Sequence, residues 1–596
     1  MDAYPSPSAR RKRSYDESMS GGTTHSSFSM ASRRTRRRKT IRRMRSNVGH
    51  YEEEELLKTK FEHIKLINRQ KAYNKLNTEL VVADADPLVL EFIDQHPPPI
   101  DDFNREDWTF VKACTPVEMA HLMHFDRAES VPPPKYTPSI RRAANIVADK
   151  LALPTLLFFP EKHRLKDVKF YPNKFAGIEY ATMGLKTRAE AEEQAQADAE
   201  QAFTRLMDGL PVEPHDVRLG GRGKVARMTR EGAESKPPAV GRLILMMSHR
   251  DLKLCGVTEN QLTGAYSSDD FPISVGMSWY HGGTAKFIQR MLPHKRFFCF
   301  DAAKFDSSID PWMVRIAINI LREQYVDGHN EQYNAYWEFV FQSLVRAPIY
   351  RDDGLRFQKE VGTTSGHSHN TLIQSIITLI VGYGALVEMN PALSDEDIVR
   401  LAHMESLGDD NIMGLSGVLS RHTTEEIAGV VKSMFMVNWF GKKSFSTSRL
   451  LDPIEGEFQG VQYLGKYFRL AEYPLGDAVR EIPLPYRPAQ ETFLRLLYPE
   501  YGAHTLTDTW LRVLGNYIDA AGNNAMENWL QDFLDFLEPR MDSTPKEWPP
   551  NFKRMVSRDY SNVGVMVPKP ERLSFEQWRD LVVLSRTEYV KRWKDE

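Results

Sequence analysis

The sequence predicts a mixed α/β protein of the α+β kind, and three observations carry that prediction. Arg296-Phe-Phe-Cys-Phe-Asp301 alternates as a buried strand and ends in a carboxylate. In Ser406-Leu-Gly-Asp-Asp-Asn-Ile412 a tight glycine turn joins two short apolar runs into a hairpin that presents Asp409 and Asp410 side by side. Beyond about residue 475 the apolar residues recur at helical spacing over Gln490 to Leu497, Thr507 to Ile518, Met526 to Leu537 and Phe575 to Trp593.

A chain of 596 residues holds about four domain-sized units, ample for a large core. Three cysteines, Cys114, Cys255 and Cys299, lie far apart, which argues against a disulfide framework or a zinc site and for a reducing compartment. No secretory signal is expected in the Ser-rich, basic first thirty residues. The longest apolar run, Thr371 to Leu386, is interrupted by Gln374, Ser375 and two glycines and reads as too short for a membrane span, so no membrane partner is expected. Charge is segregated: residues 1–45 hold 13 Lys or Arg against 3 Asp or Glu. Such a tail, RRTRRRKTIRRMR at its end, is too charged to fold alone. Contact with nucleic acid or an acidic protein surface, and a solubilising or nuclear-import-like run, both remain open for it.

Along the chain, Glu52 to Leu66 reads as an exposed helix of mixed charge, and Pro-rich turns at Pro97 to Pro99 and Pro132 to Pro134 mark an extended connector. Arg188 to Met207 is rich in Ala, Glu and Gln and reads as a helix. A basic stretch follows, Arg218 to Arg230, then the strand-like run from Arg242. In the central strand Phe297, Cys299 and Asp301 share one face, and Phe298 and Phe300 the other. A carboxylate ending an apolar strand is costly to bury unless it meets a cation. The next helix has Asp310 as cap, Pro311 at its first position and Met313, Ile316, Ala317, Ile320 and Leu321 as its buried stripe. Gly362-Thr-Thr-Ser-Gly366 is a glycine-bracketed loop opening into the apolar helix after Asn370, read as core and nothing more. On the hairpin, Asp409 and Asp410 point to opposite faces, so Asp409 with Asp301 makes the principal pair of metal ligands and Asp410 an auxiliary one.

The order strand-Asp, glycine loop with helix, then Asp-Asp hairpin resembles motifs A, B and C of viral RNA-dependent RNA polymerases. The stretches GTTSGHSHNTLIQSI, SLGDDN and FQGVQYLG are most similar to the polymerases of partitiviruses, whose double-stranded RNA genomes come in two segments. The likeness is densest over about residues 175 to 470. It implies a right-hand polymerase with an antiparallel palm sheet, fingers and a helical thumb. The expected division is 1–50 basic tail, 51–165 connector packed on fingers and thumb, 166–294 fingers, 295–475 palm with a fingers insertion near 312–355, and 476–596 thumb.

The resemblance also assigns roles. Asp301, Asp409 and Asp410 would bind Mg²⁺, or Mn²⁺, for nucleotidyl transfer, with two ions stabilising the attacking and leaving oxygens. Asp306, Ser365 and Asn370 would sense the ribose; Asn370 also suits a helix start. Gly362, Thr364 and Gly366 would approach the template, or form a plain turn. Val437-Asn-Trp-Phe-Gly-Lys-Lys443 matches motif D, where Lys442 or Lys443 would protonate pyrophosphate. Leu464 and Gly465 fall in a strand pair like motif E, which supports the primer end, and Lys186 and Thr187 in a stretch like motif G, which guides the template. Arg242, Lys224 and Arg227 are candidates for the triphosphate. Gly276-Met-Ser-Trp-Tyr-His-Gly-Gly283 resembles a partitivirus signature of structural role. The implied partners are RNA template and product, ribonucleoside triphosphates and a viral coat protein, and the implied place is the virion interior in the cytoplasm of an infected cell. Against a reverse transcriptase stand Leu407, Gly408 and Asp306. A non-enzymatic RNA-binding or capsid-tethered protein with degenerate sites is disfavoured because every expected acid is present. A picobirnavirus polymerase would differ in source only.

Overall fold

In the computed structural model, residues 60–231, 234–268, 271–499, 505–520, 524–549 and 569–593 are described. The basic tail, and most of the segment read as a helix over Glu52 to Leu66, lie outside them. At the centre is the helix Asn370–Met389, buried from Asn370 to Val387. A helix apolar all round can only sit inside a core, and this one packs against Thr137–Lys150, Thr424–Phe435 and the strand Ala402–Leu407. By length and composition alone it could cross a membrane, contrary to the reading from its interruptions. It is instead a core helix, 89% buried over its most apolar window.

On this helix lies a four-stranded antiparallel sheet in the order Ala402–Leu407, Asp410–Leu415, Arg296–Cys299, Phe445–Thr447. Leu407 pairs with Asp410 across the turn, and Met413 pairs with Phe298. The pleat sorts the central strand: Phe298 and Phe300 enter the main core, whereas Phe297 and Cys299 enter a second cluster with Ile412, Tyr463 and Phe468. With both faces covered, the strand ends and the turn are what remain to do chemistry.

A five-stranded sheet, drawn from both sides of that central strand in sequence, runs in the order Lys65–Arg69, Leu355–Gln358, Ile349–Tyr350, Val217–Arg222, Arg242–Met246. The described end of the expected Glu52 to Leu66 helix is thus a bend followed by an edge strand. The Asp126 carboxylate accepts the amides of Glu62, His63 and Ile64, which takes the donors a helix would need and turns Ile64 into a buried cluster. The Arg188–Met207 helix forms as read, closed by a capping box between Thr187 and Glu190. Asp310 stands at the head of Pro311–Arg322 but caps nothing; its carboxylate accepts Arg127 Nη1 at 2.8 Å and the Ser130 amide at 2.9 Å.

The C-terminal helices Ala489–Leu497, Leu506–Asp519 and Asn524–Leu537 share one apolar cluster with the short helix Pro87–Ile93. The Phe575 to Trp593 segment is two helices, Phe575–Val583 and Arg586–Trp593. Asp86, fully buried at the start of Pro87–Ile93, pairs with Arg512 at 2.5 Å. A long hairpin, Lys466–Leu475 with Ala478–Tyr486, joins sheet to helices and crosses the boundary expected at 475.

Candidate active site

Asp301 leaves the central strand where the chain swings beside Phe440. Its amide donates to Ser444 Oγ at 2.7 Å, and its carbonyl accepts the Gly441 amide at 3.0 Å. These contacts fix the backbone, and the half-buried carboxylate adds its charge to the field at Asp409 and Lys224. Across the sheet Gly408 takes φ 63, a left-handed conformation natural to glycine, and so turns the chain tightly enough to put Asp409 next to the strand end. Asn411 ties the two: its Nδ2 donates to the Phe300 carbonyl at 3.2 Å and the Asp409 carbonyl at 2.9 Å.

Burial pushes the Asp409 carboxyl up to about 6, with the charges of Asp306 and Asp301 adding to it. Burial, then Asp409 and Asp301, pushes Asp410 up to about 7, although Asp410 accepts the Leu464 amide. Asp409 Oδ1 is buried with no partner among the described residues. A crowd of carboxylates that oppose one another's ionisation, with an orphaned oxygen among them, fits a divalent cation with a preference for hard oxygen ligands. Asp301, Asp409 and Asp410 would hold it.

The central helix does more than fill the core. The Gly408 amide donates to Ser375 Oγ at 2.8 Å, Thr378 Oγ1 donates to the Gly408 carbonyl at 2.7 Å, and Ser406 Oγ donates to the Ser375 carbonyl at 2.8 Å. Both polar groups of the turn glycine are therefore clamped by one helix. Immediately before Ser375, Gln374 Nε2 donates to both Asp306 Oδ1 and Thr363 Oγ1. Asn370 precedes Gln374 by four residues, on the same helix face, and its buried Oδ1 has no partner among the described residues. Gln374, Ser375 and Thr378 escaped the sequence reading because polar residues in an apolar run register as interruptions; their i, i+4, i+5, i+8 spacing from Asn370 was the available signal.

Ser365 Oγ accepts the Leu245 amide at 3.2 Å, which joins the glycine loop to the strand that begins at Arg242. A Cβ on Gly366 would overlap the Leu245 carbonyl. Gly362 sits with its amide on the Ile309 carbonyl, at 2.8 Å, while Thr363 donates to the Asp306 carbonyl at 3.0 Å. Thr364 is buried, its hydroxyl spent on the Leu344 carbonyl at 2.7 Å, so it faces the core and not a template. Thr187 is occupied as a helix cap, and the Lys186 and Thr187 amides both bond Glu190. Leu464 and Gly465, at φ 51 and 73, form the turn of a narrow hairpin whose tip meets Asp410.

Lys224 lies in the electrostatic neighbourhood of Arg242, Lys443 and Asp301. The charge of Lys443 thus reaches Lys224, and both Lys442 and Lys443 are exposed. Arg227, on the same strand as Lys224, turns to Asp107, 3.4 Å away, which also holds Arg230 at 2.8 Å.

A separate buried group, Cys255, His367 and His369, brings three ligand-type atoms within 4.8 Å of one another. It is built as a hydrogen-bond network. His367 Nδ1 accepts the His369 amide at 3.0 Å, which leaves the ring proton on Nε2, aimed at Ser343 Oγ 2.8 Å away. A protonated Nε2 offers no lone pair to a metal.

This palm sheet, its carboxylate turn and the surrounding layers define a right-hand polymerase fold. Residues 254–472, which span the strand-Asp, glycine loop and Asp-Asp turn, match the family of viral RNA-dependent RNA polymerases. The chain is also similar to viral genome polyproteins. It is 30% identical to that of Watermelon mosaic virus II (isolate USA) over 148 residues, 24% of this chain and 14% of the polyprotein. Identity to that of Tobacco vein mottling virus is 27% over 174 residues, 26% of this chain and 6% of the polyprotein. For Zucchini yellow mosaic virus (strain Reunion Island) it is 32% over 149 residues, 24% and 4%. The chain thus spans only a small part of the length of these relatives.

Proposed function

We propose that the chain is an RNA-directed RNA polymerase that joins ribonucleoside triphosphates on an RNA template. One observation carries this reading: a single buried helix holds both the polar set around Asp306 and the turn bearing Asp409, beside Asp301. A bound divalent cation, Mg²⁺ by the hardness of the oxygens offered, would neutralise charge on the attacking and leaving oxygens. The protein's own groups do the rest. Asn370 Oδ1, buried with no partner among the described residues, is an acceptor for the ribose 2′-hydroxyl, and a deoxynucleotide would leave it unsatisfied. Gln374 holds Asp306 in place for the same sugar. Lys224 and Arg242 would supply positive charge for the triphosphate, and Lys443 or Lys442 would protonate the departing pyrophosphate.

The finer reading is a polymerase that transcribes and replicates a double-stranded RNA genome as partitiviruses do, inside a virion in the host cytoplasm and in contact with coat protein. Its support is the sequence likeness in GTTSGHSHNTLIQSI, SLGDDN and FQGVQYLG. The test is incorporation of labelled nucleotides on single-stranded RNA with Mg²⁺. Asp301→Asn and Asp409→Asn should each abolish it while RNA binding stays near wild type, because asparagine keeps the volume and removes the charge. Substantial activity in either variant would refute the assignment.

A further inference from the structure

The segment read from sequence as a Pro-punctuated connector is stitched into the site. After the helix Thr115–Leu122 and the turn Met123–Phe125, Arg127 Nε donates to the Ser307 carbonyl at 2.9 Å and Arg127 Nη1 to Asp310 at 2.8 Å. Gly362 is wedged between the Phe125 ring and the Asp306 carbonyl. The stretch therefore cannot drift from the residues that follow Asp301.

It brings two histidines. His121 and His124 are half-buried with ring centroids 6.1 Å apart, and His121 bonds the Gly241 backbone, immediately before Arg242. Both sense Lys304, and His121 also senses Lys224; neither is coupled to an acid among the described residues. Lys304 is exposed, in the left-handed backbone region at φ 55, three residues past Asp301. Of these groups Lys224 faces an acid, Asp301; the cationic and proton-accepting groups outnumber it and repel one another, and the natural relief is a highly charged anion. Neutral imidazoles give such an anion N–H donors, and protonation adds charge once it has arrived.

We propose that His121, His124 and Lys304 form a second bank of the triphosphate site, contacting the phosphate chain alongside Lys224 and Arg242. This rests on the polymerase reading and extends it: the N-terminal segment is part of the nucleotide pocket.

Equilibrium binding of inorganic tripolyphosphate to the full chain, without RNA, tests the site independently of catalysis. The double variant His121→Gln/His124→Gln should bind about tenfold more weakly, the loss of roughly one charge-assisted contact. His124→Arg should bind at least as tightly as wild type, a rescue that a packing role does not allow. In incorporation assays the double variant should raise KM for nucleotides by the same factor, with kcat within about twofold and RNA affinity unchanged. A folded double variant with wild-type tripolyphosphate affinity overturns the proposal. If the double variant does not fold, His124→Arg decides, and weaker binding there overturns it. A wild-type chain that binds tripolyphosphate through these histidines yet incorporates nothing would remove the polymerase reading and leave this site standing.

Discussion

Replacing Thr378 by Val is the sharpest probe of the helix clamp. Valine keeps the shape and deletes one hydroxyl, so the fully buried site gains no cavity and loses only the 2.7 Å bond to the Gly408 carbonyl. A buried carbonyl left without its donor costs about 1 to 3 kcal/mol. Because Gly408 is the residue before Asp409, that cost falls on the turn conformation that brings Asp409 to Asp301. If it is carried into the transition state, incorporation slows roughly five- to 150-fold, at about 1.4 kcal/mol per tenfold. The assay is steady-state incorporation at varied Mg²⁺: kcat should fall, or the Mg²⁺ requirement rise, with KM for nucleotide unchanged. Thr378→Ser, which keeps the hydroxyl, should restore most of the rate. A Thr378→Val enzyme with wild-type kcat and Mg²⁺ dependence would show that the clamp does not position the turn.

Replacing Asn370 or Gln374 by Ala should narrow the preference for ribo- over deoxynucleotides, since the first removes an acceptor with no partner among the described residues and the second removes a hydrogen bond to Asp306; unchanged discrimination with a lower rate would make both structural. Asp409 and Asp410 are held at about 6 and about 7, above the ordinary carboxylate value, so the metal-free native protein binds more protons than the unfolded chain between about pH 4 and 7. Thermal melts in EDTA should therefore show stability falling as pH rises through that window, less so in Asp410→Asn, and Mg²⁺ at pH 8 should restore it; a flat profile would contradict the crowding of these acids. Deleting residues 1–45 should flatten the salt dependence of RNA binding while sparing incorporation on saturating template, because such a tail binds through counterion release; an unchanged salt slope would direct the tail to an acidic protein surface.

Much of the chemistry was legible in the linear chain because it is written in short segments. The strand ending at Asp301 shows itself by alternation, and the turn at Gly408 by one glycine beside two acids. The core stripe of Pro311–Arg322 shows itself by its helical period. In each case the physical cause acts within a few residues of the feature it explains.

What the tertiary structure decided are the pairings between distant residues of unremarkable type. Ser375 and Thr378 look like flaws in an apolar run until the hairpin is folded onto them, 30 or more residues away in sequence. Thr364 and Thr187 resemble site residues in the chain but are consumed by hydrogen bonds, to the Leu344 carbonyl and within a helix cap, and Arg227 is drawn off by Asp107, which precedes it by 120 residues. Asp310 has the position of a cap and the function of a clamp, because Arg127 reaches it first. His121 and His124 carry no motif at all; only the seam between Arg127 and Ser307 brings them to Lys304. A side chain's chemistry is local, but which partner satisfies it depends on which backbone arrives, and only the packed fold determines that.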